Sequence, residues 1–128
     1  RQTDPRRAAI GTAFRSWGIP TVVSLCEAAT DRAGVIVSGG VRSGLDIAKG
    51  IALGADLGGM ALPLLKPALA GEADLFSAID SIREQILIAM FLTGSRTLKD
   101  LKRVRVHITG ASREMLHRNR IQEVTHGY

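Results

Sequence analysis

Val35-Ile36-Val37 is a β-branched run with no polar member, and it stops abruptly at Ser38-Gly39-Gly40. A strand with one face in water would alternate polar and apolar side chains. A run without alternation fits a strand covered on both faces, as in a parallel sheet with helices packed outside it. Ser43 then stands three residues before Asp46, a capping-box spacing in which hydroxyl and carboxylate satisfy free amides at a helix start. The spacing predicts a helix from about Gly44 to Leu53, with Ile47, Ala48, Ile51 and Ala52 facing inward and Gly54 as its left-handed terminator. Strand, glycine turn and capped helix in direct succession restrict the chain to an α/β architecture.

The pattern repeats on either side. Arg6 to Trp17 is predicted helical, with Ala9, Ile10, Ala13, Phe14 and Trp17 on one face and Gly18 as its stop. Thr21 to Leu25, after a Gly-Ile-Pro turn, is predicted as a buried strand, and Glu27 to Thr30 as one helical turn. Leu57 to Ala61 is predicted as a further strand, glycine-rich where another element packs closely, with Pro63 opening a short helical segment. From Glu72 to Thr93 the apolar positions Leu75, Ile79, Ile82, Ile86 and Ala89 step by helical intervals, and Gly94 ends the run. From Ser95 onward the expectation is a helical turn, a short strand-like Val104 to Ile108 and a charged tail.

Strands alternating with helices imply a parallel sheet. A doubly wound sheet would place its glycine loop after the first strand, whereas here the loop follows a middle strand and a second loop follows the next. Two consecutive strand-to-helix loops sharing one anion are typical of strands seven and eight of a TIM barrel. The predicted fold is therefore the C-terminal portion of a (β/α)8 barrel, with about its last three βα units in residues 1–94 and a tail in 95–128.

Composition narrows the class of partner. Apolar residues make up 45% of the 128 residues and aromatics only 4%, so the core is expected to be aliphatic. The formal charge of +5 is concentrated between Arg96 and Arg120, a stretch without an aromatic side chain. Lacking stacking residues, that stretch reads as a solvated or subunit-facing surface rather than a nucleic-acid interface. Cys26 is alone, which excludes an internal disulfide, fits a reducing, cytoplasmic compartment, and reads best as a small buried hydrophobe. No apolar stretch is long enough to span a membrane. The chain opens on Arg1 rather than Met, and Arg1 to Arg7 lacks the apolar core of a signal peptide, so it is expected to be a truncated or excised piece.

Ser38-Gly39-Gly40-Val41-Arg42-Ser43-Gly44, lying between a buried strand and a helix start, has backbone amides that can turn toward one anion without obstruction from Cβ atoms. A second loop at Met60-Ala61-Leu62 follows the next strand, and together the two loops point to a phosphate. Asp46 and Lys49 read as helix cap and solvated face, and Met60 as core. His107, His117 and His126 have no mutual spacing suited to a metal ion, so no metal ligand and no catalytic residue is assigned within this chain.

Ser38 to Lys49, followed by Ala52-Leu53-Gly54-Ala55-Asp56, resembles the flavin mononucleotide (FMN) phosphate signature shared by hydroxyacid oxidases, inosine monophosphate dehydrogenases and type 2 isopentenyl diphosphate isomerases. Trp17-Gly18-Ile19-Pro20-Thr21, Gly59-Met60-Ala61-Leu62-Pro63 and Ala89-Met90-Phe91-Leu92-Thr93-Gly94 resemble the isomerases in particular, as do Leu98-Lys99-Asp100-Leu101 and Ile108-Thr109-Gly110. The resemblance implies that amides of Gly40, Val41 and Arg42, with those of Ala61 and Leu62, hold the flavin phosphate, and that the Arg42 side chain adds charge. It also implies a homo-oligomeric enzyme interconverting isopentenyl and dimethylallyl diphosphate, with NADPH as reductant and Mg2+ on ligands outside this chain. Two alternatives stay open: another FMN-dependent barrel oxidoreductase such as a 2-hydroxyacid oxidase, and a truncated chain without catalysis.

Overall fold

The computed structural model describes residues 4–29 and 33–125, with residues 119–125 described by their backbone alone. The elements are α1 (Pro5–Ala13), α2 (Thr21–Ala28), β1 (Ile36–Val37), α3 (Gly44–Ala52), β2 (Leu57–Gly58), α4 (Leu62–Ala70), α5 (Glu72–Leu92), α6 (Leu98–Leu101) and α7 (Gly110–Thr125).

β1 and β2 pair in parallel, Ile36 opposite Leu57 and Val37 opposite Gly58, with α3 as the connection between them. One face of this sheet is covered by α3 at close range. A Cβ on Gly50 would lie 2.6 Å from Val37 Cγ1, and one on Gly58 would lie 2.7 Å from the Ile47 side chain. Two glycines at the crossing therefore let helix and sheet approach more closely than any larger residue allows. Ile36 and Leu57 point away from α3 and are 63% and 60% exposed. That face has no cover among the described residues.

The core gathers Leu25, Val37, Val41, Ile47, Ala48, Ile51, Ala55 and Leu101, and Ile82, Ile86, Ala89 and Met90 of α5 pack against it. α3 is a well-formed amphipathic helix: Ser43 caps it, Asp46 lies in its first turn, Lys49 in its last, and Gly54 beyond its end takes a φ of +115°. Asp56 fastens the opposite end of the sheet. Its carboxylate accepts the Val35 amide at 2.8 Å and pairs with Lys102, and both contacts hold its pKa below the ordinary carboxylate value, the lysine first.

Several predicted elements differ from those found. Residues 21–25 are helical rather than extended, forming the start of α2, so the strands number two among the described residues. Pro20 caps that helix, in which Val23 and Leu25 are buried and Val22, Cys26 and the following Ala29 half-buried. α1 ends at Ala13, short of the predicted Trp17, and none of its residues is buried. β2 covers Leu57–Gly58 only, because Ala61 already serves as the cap of α4. Residues 104–108 alternate between half-buried and exposed as a strand would, yet they pair with no strand among the described residues. The charged tail contains α7, a helix of 16 residues.

Candidate functional site

Parallel pairing sends both chains out of the sheet at the same edge, so the loops after β1 and β2 emerge side by side. The Gly59 amide donates to the Val37 carbonyl at 2.8 Å, and a Cβ on Gly59 would lie 3.5 Å from the Ser38 side chain. Ser38–Ser43 and Gly59–Leu62 are therefore neighbours at the carboxyl end of the sheet.

The first loop turns on two successive glycines in the left-handed region, Gly39 at φ +90° and Gly40 at φ +74°, a combination L side chains rarely adopt. Thr21, the first residue of α2, donates its hydroxyl to the Gly39 carbonyl at 2.8 Å and anchors the turn from outside. A Cβ on Gly40 would meet nothing within 4 Å, so this residue faces open space.

The start of α3 is held by protein groups. Asp46 accepts the Ser43 hydroxyl at 2.8 Å and the Arg42 amide at 3.1 Å, while its own amide donates to Ser43 Oγ at 3.1 Å. The Ser43 hydroxyl, and after it the Arg42 amide, hold the Asp46 carboxyl below its ordinary value of 3.8. The Gly44 amide donates to Oε1 of Gln85, from the middle of α5, at 2.8 Å. Each contact removes a donor that a helix start would otherwise offer to a ligand.

Of the residues expected to form the site, Gly40, Val41 and Ala61 lie on the two adjacent loops and Leu62 opens α4, and no acceptor among the described residues takes their amides. Arg42 differs: its amide is committed to Asp46, and only its exposed side chain remains available. The open side of Gly40, where no Cβ stands, adjoins amides that have no acceptor among the described residues. Thr21 and Gln85 escaped the sequence reading because their contacts with the loop span 18 and 41 residues. A cavity of about 160 Å³ between α2 and the glycine loop, lined by Val22, Leu25 and Val41 among others, is smaller than the roughly 300 Å³ of an ordinary ligand pocket. It is a packing gap between elements.

Met60 packs against the core, Cys26 is half-buried, and Lys49 is exposed. His107 and His117 are exposed and His126 lies outside the described residues; no group of His, Cys, Asp or Glu among the described residues is arranged to hold a metal ion. No described helix is long and apolar enough to cross a membrane.

The family model for FMN-dependent dehydrogenase matches residues 1–108 of the chain, spanning both loops. The chain belongs to the FMN-dependent dehydrogenase family. Within that family it is similar to proteins named isopentenyl-diphosphate delta-isomerase. The protein of Methanoregula boonei is 51% identical over 107 residues, covering 84% of this chain and 30% of the relative. That of Methanothrix thermoacetophila is 51% identical over 113 residues, covering 88% of this chain and 32% of the relative. That of Pyrobaculum islandicum is 53% identical over 97 residues, covering 75% and 27%. The chain thus spans about three tenths of the length of these relatives.

Proposed function

We propose that this chain is the phosphate-gripping C-terminal part of an FMN-dependent (β/α)8 barrel that interconverts isopentenyl and dimethylallyl diphosphate. The observation that carries the reading is identity of about one residue in two to named isopentenyl-diphosphate delta-isomerases across a segment containing both loops. Amides of Gly40 and Val41 on the first loop, and of Ala61 and Leu62 on the second, would take the flavin phosphate, with the exposed Arg42 guanidinium adding positive charge. The Arg42 amide drops out of the proposed set, since Asp46 already accepts it. The bare sheet face carrying Ile36 and Leu57 supports the barrel, because a barrel strand faces its neighbours' side chains on the inside and helices on the outside.

Reduced flavin, when bound, would supply the proton exchange that moves the double bond. This chain's part is to fix the flavin by its phosphate end. Residues that meet the substrate diphosphate and Mg2+ would belong to the rest of a homo-oligomeric, cytoplasmic enzyme, with NADPH as the reductant that primes it.

A second reading, net redox chemistry on a substrate such as a 2-hydroxy acid, is favoured by the family's description as FMN-dependent dehydrogenase. Electron balance separates the two. An isomerase returns its flavin to the reduced state after each turnover, whereas a dehydrogenase consumes one acceptor per product. The complete protein, reduced anaerobically with substoichiometric NADPH and supplied with Mg2+, is expected to convert isopentenyl diphosphate far beyond the reductant added. Product capped at the reductant supplied, or turnover that tracks oxidation of a hydroxy acid, overturns the isomerase reading.

A further inference from the structure

Gln85 sits in the middle of α5, outside both loops, yet its Oε1 accepts the Gly44 amide at 2.8 Å. The contact occurs where two backbones nearly touch. A Cβ on Gly44 would overlap the Ile82 carbonyl oxygen and lie 2.8 Å from Gln85 Cβ, so the start of α3 is pressed against α5 and shielded from water there. Gly44 is itself buried, and its amide has no in-helix acceptor because it belongs to the first turn. A buried donor in that position needs a partner, and Gln85 supplies it through an oxygen.

The consequence reaches the glycine loop through the chain. Asp46 holds Arg42 and Ser43, Gln85 holds Gly44, and Thr21 holds Gly39 from the other end. Gly40 and Val41 are thereby suspended between fixed points, with their amides unclaimed. We infer that Gln85 is a positioning residue for the phosphate loop: by accepting the Gly44 amide from α5 it fixes where the Gly40 and Val41 amides present themselves to the anion. This rests on the proposed role of the loop in holding the flavin phosphate. Gln85 acts through Gly44 and as an acceptor only, so its amide nitrogen is not required.

The test is equilibrium binding of two flavins to the complete protein, stripped of cofactor: FMN, which carries the phosphate, and riboflavin, which does not. Wild type should bind FMN much more tightly than riboflavin; equal affinity would overturn the reading of the loop itself. Gln85→Met keeps the length of the side chain and removes the acceptor, and should weaken FMN binding about tenfold while leaving riboflavin affinity unchanged. Equal weakening of both flavins would reveal a general loss of structure, and no weakening would remove the role; either overturns the inference. Gln85→Glu keeps the acceptor and should retain the preference for FMN. Loss of that preference in Gln85→Glu would mean that the nitrogen contacts the phosphate, and would overturn the inference even if Gln85→Met fails to fold.

Discussion

Gly40 combines a φ of +74° with open space where a Cβ would stand, and the two properties predict different outcomes for different substitutions. Alanine meets no neighbour and incurs only the backbone strain, about 1 to 2 kcal/mol. Gly40→Ala in the complete protein should therefore lower stability by that amount in urea titrations and keep much of its flavin. Gly40→Asp adds a carboxylate in the region proposed for the phosphate, where like charges repel. Gly40→Asp should purify folded and colourless. A full complement of flavin in that variant would mean that the phosphate sits elsewhere. The glycine pair, the Ser43–Asp46 cap and Gly54 were legible in the sequence because each acts within a few residues. Asp46's hold on the Arg42 amide was not, since a capping box is ordinarily read as satisfying the helix start rather than the loop before it.

Among the elements, α3 and α5 were legible for the same reason that they form. The apolar positions of α3, and Ile82, Ile86 and Ala89 of α5, recur at helical intervals and turn toward a common core, whereas Ile79 on the same predicted stripe is 41% exposed. Thr21 to Leu25 misled because its β-branched residues favour strands locally, while the helical arrangement, with Val22, Cys26 and Ala29 half-buried beside the buried Val23 and Leu25, emerges only when the window extends past Leu25. Residues 104–108 show the reverse case. Their side chains alternate as in a strand, but alternation specifies only which face is covered, and a strand also needs a partner. The junction of α3 with α5 gives a prediction at this scale. Gly44→Ala forces a methyl group into the Ile82 carbonyl and Gln85, which are backbone and a constrained side chain rather than a movable tip. In the complete protein it should cost about 3 kcal/mol, read as a lower urea midpoint, whereas alanine would ordinarily stabilise a helical position. Unchanged or raised stability would show that α3 and α5 are free to separate.

For the whole molecule, the decisive property is the sheet. Two short paired strands are marginal on their own, and here each has an edge unpaired among the described residues. α3 covers one face, while the other leaves Ile36 and Leu57 exposed at 63% and 60%. Further large apolar side chains stand in solvent elsewhere, including Trp17 at 81%, Phe91 at 83% and Leu92 at 76%. An apolar strand with one bare face is stable only when something covers it, and the relatives' greater length supplies a candidate in the rest of the proposed barrel. The isolated 128-residue chain is accordingly expected to retain helix by far-ultraviolet circular dichroism, to bind the dye ANS and to unfold over a broad range of urea without a cooperative midpoint. Coexpression with the complementary barrel segment should abolish dye binding and restore a cooperative transition, because only then are the strand edges paired and the inner face covered. A sharp transition from the isolated monomer at low concentration would show that these residues close a core of their own, and the barrel reading would fall with it.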